Sequence, residues 1–382
     1  MLDRINAGLA VGTLQASLPD GTARILGGRA PGPVVIVTLH RWRALLRLAQ
    51  SGSVGWYEAW AAGEWSSPDP VPLFDLFMRN RATLGKTARA GGFSRIAMQL
   101  RHALRRNSMS GARRNIMAHY DLGNEFYAAW LDPTMTYSSA LFEDEDVAGP
   151  LAEAQNRKMV AILDRLNLQP GQALLEIGCG WGGLLEAAIQ RGYVATGLTL
   201  SPNQKAFADH ALQGEAVVSL VDYRDVIGQY DGLASVEMIE AVGQEYWPYF
   251  LDAVVRCLKP GGRAALQYIS IADDIFESYA SSADFIQTYV FPGGMLISES
   301  RFRALAEARG LAWTDQRDFN LHYAETLRRW RGRFDDAVEN DRLPHGFDAK
   351  FVALWRYYLM YCEGGFRGGG IQVSQVTLVK PA

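Results

Sequence analysis

The stretch LLEIGCGWGG, residues 174–183, decides the fold of most of this chain. An apolar run is followed by Gly178, Gly180 and Gly183, which satisfy the spacing G-x-G-x-x-G. That spacing is typical of a tight turn that leads from the first strand of a nucleotide-binding sheet into a helix. The glycines alone are weak evidence, because they specify the turn and leave the ligand open. Glu176 lies inside the strand itself and is the first residue to bear on that choice.

Strands and helices alternate from about residue 117 onward. The segments ALLEIG, YVATGLTL, AVVSLV, GLASVEM and RAALQYISI are predicted to be successive strands, with helical patterns such as LLEAAIQRG and PNQKAFADHAL between them. Two further segments near the end, LAWTDQRDF and IQVSQVTLVK, also have strand character. Such alternation predicts an α/β domain with a doubly wound, mainly parallel sheet that is covered by helices on both faces.

Residues 1–78 are predicted to form a separate small α+β domain. GTLQASLPDGTARILG predicts a hairpin whose turn is Pro19-Asp20-Gly21. PVVIVTL, residues 33–39, predicts a buried strand, and WRALLRLAQSG predicts a helix that is closed by glycine.

The overall composition is that of an ordinary globular protein. Of the 382 residues 48% are apolar and 21% charged, and the net charge of −3 gives no general attraction to nucleic acid or anionic membranes. Cys179, Cys257 and Cys362 fit no metal-binding spacing and favour a reducing compartment. No apolar run reaches the roughly 18 residues of a membrane span, so we expect a cytoplasmic protein whose membrane contact, if any, is peripheral.

The segment 79–114 has a different charge pattern from the rest of the chain. It contains ten Lys or Arg residues and no Asp or Glu. Apolar residues from Phe93 to Leu104 recur at helical spacing with arginines between them, which predicts a basic amphipathic helix. Two interpretations stay open, a linker with a docking helix and a contact with an anionic membrane surface. Nucleic acid is less favoured, because no recognised binding motif accompanies the basic residues.

The residues around the glycine loop distinguish between cofactors. NAD requires an acidic residue about 20 positions further on, but the second strand ends in GLTLSPNQ, which has no carboxylate. Glu176 can approach a cationic cofactor, Thr199 and Gln204 can bind hydroxyl groups, and the pair Asp222-Tyr223 can frame an adenine. S-adenosylmethionine combines a sulfonium cation, a ribose and an adenine, so it is the predicted cofactor.

Several longer motifs resemble the cyclopropane-fatty-acyl-phospholipid synthase family, which includes the mycolic acid cyclopropane synthases. They are HYDLGNEFYAAWLDPTMTYSSALF (119–142), LLEIGCGWGG, GLTLSPNQ, VDYRD, YVFPGG (289–294) and GGFRGGGIQVSQV (364–376). The resemblance covers nearly all of residues 115–380. It implies a Rossmann-like class I methyltransferase domain over 116–382 with helical acyl-binding insertions, a lipid-associated domain over 1–78 and a basic helical connection over 79–115.

The resemblance also implies roles for individual residues. The cofactor positions, to which Glu176 is added from the argument above, are Tyr137, Ser138, Gly178, Cys179, Gly180, Thr199, Leu200, Gln204, Asp222 and Tyr223. Glu240 matches the active-site glutamate of the family, and Ile269 and Tyr323 match residues that help to hold a bicarbonate ion, the base that accepts the proton. The resemblance implies a homodimer, and it implies no metal.

Five positions depart from the pattern of the family. Ser139 replaces a cysteine, and Gln267 replaces a histidine after the fifth strand. Both keep groups that donate hydrogen bonds, so we expect them to bind an anion, although less tightly than the usual residues. The usual motif S-x-G-x-F-E-H reads SVEMIEA, in which Glu237 replaces a glycine, Ile239 an aromatic residue and Ala241 a histidine. Glu237 is therefore a candidate for a base that belongs to the chain itself.

Three functional hypotheses follow. In the first, the protein methylates the cis double bond of a phospholipid acyl chain at the inner face of the cytoplasmic membrane and closes a cyclopropane. In the second, the same methyl transfer ends in a methyl-branched unsaturated chain or a methylene group, because the bicarbonate pocket is altered. The third is a protein that binds lipid and cofactor without turnover, against which the intact glycine loop, Glu240 and Tyr323 argue.

Overall fold

The computed structural model describes residues 1–85, 122–143, 147–281 and 284–382. These residues form two compact units. The described part of the first unit comprises 1–85, 272–281, 284–292 and 327–371. The second comprises 122–143, 147–271, 293–326 and 372–382. The first unit thus contains segments from late in the chain as well as the amino-terminal residues. The predicted domains, with boundaries at residues 78 and 115, are continuous in sequence, and this division stays a prediction.

The helices and strands of the described residues alternate over most of the chain. In the amino-terminal part they are α1 (Leu2–Gly8), β1 (Thr13–Ser17), β2 (Ala23–Gly27), β3 (Val34–Leu39), α2 (Arg43–Ala61), β4 (Trp65–Ser66), α3 (Val71–Arg79) and α4 (Arg81–Leu84). From residue 122 to the fifth parallel strand they are α5 (Asn124–Ala128), α6 (Leu151–Leu166), β5 (Ala173–Ile177), α7 (Gly183–Gln190), β6 (Val194–Leu198), α8 (Pro202–Leu212), β7 (Val217–Ser219), β8 (Tyr230–Val236), α9 (Trp247–Cys257) and β9 (Leu258–Ile271). The last part has α10 (Asp273–Ala280), α11 (Phe285–Tyr289), α12 (Glu299–Glu307), β10 (Ala312–Asp318), α13 (Asn320–Glu339), α14 (Ala349–Arg367) and β11 (Ile371–Val379).

The first unit contains a four-stranded sheet in the order β2-β1-β3-β4. Strands β1 and β2 form the predicted antiparallel hairpin, with Leu14 opposite Leu26. Its turn closes through a hydrogen bond from the Leu18 N–H to the Thr22 carbonyl (2.8 Å), and Gly21 takes the left-handed conformation (φ +84°) that the sequence Pro-Asp-Gly favours. The hairpin prediction is confirmed.

Two details of this unit differ from the sequence-based expectation. Strand β3 is not buried, because Val34 and Ile36 are 62% and 51% exposed while the alternate residues Val35 and Val37 lie in the core. An apolar run of this length is compatible both with a strand that is covered on two faces and with a strand that is covered on one face. The helix after β3 does not end at Gly52 either. It bends there (φ +57°, ψ −133°) and continues to Ala61, since a glycine can form a kink as readily as a helix end.

The second unit is organised around a seven-stranded sheet in the order β10-β11-β9-β8-β5-β6-β7. The neighbouring pairs β9–β8, β8–β5, β5–β6 and β6–β7 are parallel, and β10 pairs antiparallel with β11. The predicted α/β fold with a mostly parallel sheet is confirmed. Since β5 lies between β8 and β6, the loop after β5 is next to the loops after both of these strands.

The core of this sheet explains why β5 is almost entirely apolar. Leu174 is fully buried in a cluster with Ile162 and Leu163 of α6 and Leu185 of α7, which are also fully buried. Burial of such a side chain stabilises the fold by about 1.5–3 kcal/mol. Polar residues and glycines occur instead at the carboxyl ends of the strands, so they lie together at one edge of the sheet.

The predicted basic amphipathic helix with Phe93 and Leu104 lies outside the described residues. No helix in the described part of the chain is long and apolar enough to cross a membrane.

Candidate active site

The glycine loop follows β5 directly at the carboxyl edge of the sheet. The N–H groups of Gly178 and Cys179 both donate to the Leu198 carbonyl at the end of β6 (3.0 and 2.9 Å), which anchors the loop to the neighbouring strand. Gly178 and Gly180 have positive φ angles of +85° and +53°. A Cβ atom at Gly178 would lie 2.8 Å from Met238 Cγ, whereas one at Gly180 would meet nothing within 4 Å. The loop is thus held on one side and open on the other.

The ends of the next two strands supply polar groups. After β6, the Thr199 hydroxyl donates to Gln204 Oε1 (3.0 Å), and Ser201 caps α8 by accepting from the Gln204 N–H (3.2 Å). After β7, Asp222 accepts two hydrogen bonds from the Arg224 guanidinium (2.8 and 2.6 Å). Arg224 also lies 5.5 Å from the centre of the Tyr223 ring. These contacts fix the side chains before any ligand arrives.

The three strand ends enclose one cavity of about 180 Å³. Every residue predicted for the cofactor lines it: Tyr137, Ser138, Glu176, Gly178, Cys179, Gly180, Thr199, Leu200, Gln204, Asp222 and Tyr223. Lys158, Arg224 and Glu237 line it as well. The sequence-predicted set is therefore brought together in space.

Two buried ionisable groups face this cavity. Glu176 is 3% and Lys158 1% exposed, and Lys158 Nζ donates to Ser138 Oγ (2.6 Å). Burial raises the pKa of Glu176 to about 8, although the charge of Lys158 opposes the shift, and burial lowers the pKa of Lys158 to about 8. Glu176 Oε2 is shielded from solvent and has no hydrogen-bond partner among the described residues. A buried carboxylate oxygen without a partner fits a cationic ligand beside the open glycine loop.

The segment that carries Tyr137, Ser138 and Ser139 is fixed by buried side chains. Gln155 Nε2 donates to the Ser138 carbonyl (2.9 Å). The Ala140 N–H donates to the Thr326 hydroxyl (3.1 Å), and the Phe142 N–H donates to His322 Nδ1 (2.9 Å). Burial lowers the pKa of His322 to about 4, so its ring stays neutral and keeps an acceptor nitrogen.

A second cluster is built around Glu237, directly after β8. Its Oε1 accepts hydrogen bonds from the Ser139 N–H and from Gln267 Nε2, both at 2.8 Å. Its Oε2 accepts from the Tyr323 hydroxyl at 2.7 Å. Gln267 Oε1 is in turn held by Gln375 Nε2 (3.0 Å). Burial raises the pKa of Glu237, and the donors named here and the charge of Lys158 oppose that rise.

Glu240 lies on the short 3₁₀ turn Ile239–Ala241, and its Oε1 accepts a short hydrogen bond from the Ile269 N–H. Its Oε2 is shielded from solvent and has no partner among the described residues. Burial, followed by the charge of Glu237, raises the pKa of Glu240 to about 8. Two carboxyl groups thus share one poorly solvated region.

The predicted catalytic residues form two groups. Ser139, Gln267 and Tyr323 surround Glu237, while Ile269 contacts Glu240. One expectation needs revision in detail, because the Ser139 hydroxyl donates to the Ala140 carbonyl (3.1 Å) and only the backbone N–H reaches the carboxylate. A serine hydroxyl in a tight loop often bonds to local backbone in this way.

Lys158 was missed by the sequence analysis. A single lysine in a helical pattern such as that of α6 is normally exposed, and only the tertiary packing buries it. A signal was present in the neighbouring residue Glu176, since a carboxylate inside an apolar strand calls for a buried partner.

Comparison with known structures defines the class of this site. The chain is similar to the mycolic acid cyclopropane synthase CmaA1 complexed with SAH and CTAB, with a TM-score of 0.65 and 32% identity over 70% of this chain and 98% of that one. It is similarly close to the cyclopropane synthase MmaA2 from Mycobacterium tuberculosis, with a TM-score of 0.65, 31% identity and the same coverage. The sheet, the glycine loop and the cavity are those of a class I S-adenosylmethionine-dependent methyltransferase.

The particular family follows from the sequence match. The family model for mycolic acid cyclopropane synthetase matches residues 107–376, and the chain belongs to this family. Among curated relatives, the tuberculostearic acid methyltransferase UfaA1 of Mycobacterium tuberculosis is 39% identical over 94% of this chain and 86% of its own length. The cyclopropane-fatty-acyl-phospholipid synthase of Escherichia coli K12 is 32% identical over 92% of this chain and 89% of its own length. The predictions of family, enzyme class and S-adenosylmethionine are confirmed.

Cofactor binding should depend on pH through Glu176. As the pH rises through about 8, Glu176 loses its proton and becomes an anion in the wall of the cavity, so we expect affinity for the cationic S-adenosylmethionine to rise about threefold to tenfold between pH 7 and 9. Lys158→Met removes the charge that lowers the pKa of Glu176 and should move this increase to higher pH. Calorimetric titration at several pH values measures it.

Two comparisons make this result specific. S-adenosylhomocysteine lacks the sulfonium charge and should show a weaker dependence on pH. Lys259→Met, which removes an ion pair with Asp231 (2.8 Å) outside the cavity lining, should leave the profile unchanged. An unchanged profile in Lys158→Met would contradict the assignment of Glu176 and Lys158 as an interacting pair.

Proposed function

We propose that this protein transfers a methyl group from S-adenosylmethionine to the cis double bond of an unsaturated fatty acyl chain in a membrane phospholipid. When bound, the cofactor supplies an electrophilic methyl group, whose bond to sulfur breaks with the electron pair left on sulfur. The π electrons of the alkene form the new carbon–carbon bond and leave a positive charge on the neighbouring carbon.

The observation that carries this proposal is the position of Glu237 in the wall of the cofactor cavity. The same cavity is lined by the glycine loop and by this carboxylate. Methylation of an alkene produces a cation that must later lose a proton from carbon, so the site needs anionic groups and a base beside the transferred methyl group. Glu237 and, next to it, Glu240 provide such groups.

The relatives support a lipid substrate. Two of them are named for the methylation or cyclopropanation of fatty acids or of fatty acyl phospholipids. Residues 79–114, with ten basic and no acidic residues, supply charge for an anionic membrane surface, where each basic residue contributes about 1 kcal/mol. We propose a peripheral contact of this kind at the inner face of the cytoplasmic membrane, and a homodimer as in the family pattern.

The proposed product is a chain that keeps the added carbon as a methylene group or as a methyl branch next to a double bond. The anion position of the family pattern is altered at Ser139, Gln267 and Glu237 together. In addition, the relative named for tuberculostearic acid is 39% identical, compared with 32% for the cyclopropane-fatty-acyl-phospholipid synthase.

A cyclopropane is the second candidate product. It is favoured by the hydrogen-bond donors around Glu237, because the Ser139 N–H, Gln267 and Tyr323 still hold a carboxylate where the family pattern expects an anion. A base in that position can also remove the proton whose loss closes a ring.

Deuterium labelling distinguishes these products. The protein is incubated with methyl-trideuterated S-adenosylmethionine and vesicles of a cis-monounsaturated phospholipid, in anionic and in neutral form, and the acyl chains are examined by mass spectrometry and proton NMR. A methylene product retains two deuteriums and shows no upfield ring protons, while a methyl-branched alkene retains three. Two deuteriums with upfield ring protons would identify the cyclopropane instead. Absence of label from every lipid would overturn the proposed function.

A further inference from the structure

Glu237 adopts a backbone conformation that glutamate rarely takes. Its φ angle is +47°, in the left-handed region, and its N–H donates to the Gln267 carbonyl at 2.7 Å. The left-handed region costs a residue with a side chain about 1–2 kcal/mol. The family pattern has a glycine here, which would avoid that cost. Other residues with side chains share this conformation in the structure, so the contacts of the Glu237 side chain decide what it contributes to the site.

The side chain is held from three directions. The segment around Ser139 donates through its backbone, β9 donates through Gln267, and the start of α13 donates through the Tyr323 hydroxyl. A carboxylate offers about four acceptor positions, so these bonds leave capacity for one further hydrogen or proton. Among the described residues, Gln267 is itself fixed by Gln375, which orients the amide toward Glu237.

The donors around the Glu237 carboxylate are buried and suited to an anion. Ser139 and Gln267 are fully or almost fully buried (0% and 1% exposed), and Tyr323 is buried as well. Loss of the carboxylate would remove the acceptor of the buried Ser139 N–H and one acceptor each of Gln267 and Tyr323, although Gln267 Nε2 also donates to the Ser139 carbonyl (3.2 Å). Such a loss is costly unless another anion takes the place of the carboxylate. The site therefore has the form of an anion-binding pocket that is filled by the chain's own side chain.

We propose that the Glu237 carboxylate is the resident base of this enzyme and replaces an exchangeable anion such as bicarbonate. This inference rests on the proposed function. The carboxylate takes a proton from the methylated acyl chain, and the electron pair of that C–H bond moves to the cationic carbon. When the proton leaves a carbon next to the cationic carbon, this pair becomes the carbon–carbon π bond of a methylene or methyl-branched product. When it leaves the added methyl group while the charge is on the other alkene carbon, the pair becomes the ring-closing σ bond of a cyclopropane. The protonated carboxyl group returns its proton to solvent after product release. Because burial raises the pKa of Glu237, the carboxylate is a stronger base than a solvated one.

A purely structural role for Glu237 is the alternative. A buried acid can serve only to satisfy neighbouring donors, and its loss would then affect stability and leave chemistry intact. The position of Glu237 in the wall of the cofactor cavity argues against this, as does the strained backbone that a glycine would relieve. The two roles differ in whether a small anion restores the activity.

A pair of substitutions tests the proposal. Glu237→Gly empties the pocket and keeps its donors, so we expect methyl transfer to fall by at least about 100-fold and to recover when bicarbonate or formate is added. Glu237→Gln fills the pocket with a neutral amide, so it should lose activity by a similar factor and stay inactive with either anion. Methyl transfer by the wild-type protein, assayed in buffer freed of carbon dioxide, should not change when bicarbonate or formate is added.

Controls separate chemistry from folding and from cofactor binding. Affinity for S-adenosylmethionine, measured by calorimetry, should fall far less than methyl transfer in both variants, and the exposed Glu215→Gln should behave as wild type in every assay. Recovery of Glu237→Gly by an anion is itself proof of a folded site. The result expected is rescue of the glycine variant alone.

Other results would overturn the proposal. They are a wild-type enzyme that requires bicarbonate, a Glu237→Gly variant that stays active without an anion or is not rescued by one, and a Glu237→Gln variant that keeps its activity. Each of these leaves methylated lipid as the wild-type product. If the wild-type protein methylates no lipid at all, the proposed function fails, and this inference fails with it.

Discussion

Gly178→Val is expected to abolish binding of S-adenosylmethionine, with a loss of affinity above about 1000-fold, and methyl transfer with it. A Cβ atom at this position would lie 2.8 Å from Met238 Cγ and 3.1 Å from Met238 Cβ. These atoms are close to the backbone, so they cannot move away without moving the turn after β8. Met238 lines the cofactor cavity, and its displacement would narrow the space that the cofactor needs.

A matched control separates this effect from backbone strain. Gly171 also has a positive φ (+83°), but a Cβ atom there would meet nothing within 4 Å, and the residue is not in the cavity wall. Both valine variants share a strain of about 1–3 kcal/mol. Gly171→Val should therefore melt at a lower temperature and still bind the cofactor, whereas Gly178→Val should lose binding in calorimetric titration. Equal affinities in the two variants would show that the close approach to Met238 has no consequence for binding.

The sequence predicted the part of this fold that depends on local pattern. The alternation of apolar strands and helices predicted the parallel sheet. The glycines after β5 predicted where the cofactor cavity lies, because ligands of open α/β sheets bind at the carboxyl ends of the strands. A kink at Gly52 and the exposed face of β3 could not be predicted, since periodicity does not say what packs against a segment.

The arrangement around Glu237 needed the tertiary structure. Its partners Ser139, Gln267 and Tyr323 are 98, 30 and 86 positions away along the chain. Judged from the sequence, the replacements at Ser139, Gln267 and Glu237 each weaken the anion pocket of the family pattern. Together in space, they place a carboxylate among donors. The burial of Lys158 belongs to the same category, because a lysine in a helix is buried only where packing and a nearby acid permit it.

Glu240→Gln is expected to reduce methyl transfer by about 10²–10³-fold at pH 9 and by less at pH 7. Glu240 has a pKa raised to about 8, so it becomes anionic only as the pH rises through that value. Its Oε2 has no hydrogen-bond partner among the described residues, so no donor offsets the charge that Glu240 gains when it loses its proton. Glutamine reproduces the protonated acid but not the anion. The ratio of wild-type to variant activity, followed from pH 6.5 to 9, measures this difference.

Thermal stability gives an independent measure of the same group. The pKa of Glu240 rises from 4.5 in the unfolded reference to about 8 in the fold, so folding favours the protonated form. The stability that this form contributes is complete below pH 4.5 and is lost as the pH rises through about 8. Glutamine has no proton to lose, so the melting temperature of Glu240→Gln should fall less than that of wild type between pH 6 and 9. Glu215→Gln, an exposed acid, should follow the wild-type curve.

The two measurements together decide the role of Glu240. A melting temperature that depends less on pH in Glu240→Gln, together with unchanged methyl transfer at pH 9, would mean that Glu240 is a buried acid whose ionisation only lowers stability. Reduced transfer with unchanged affinity for S-adenosylmethionine would mean that its charge acts on the reacting chain after the cofactor has bound. We expect the second result, because the hydrogen bond from the Ile269 N–H fixes one oxygen of Glu240 and leaves the other in the poorly solvated region that it shares with Glu237.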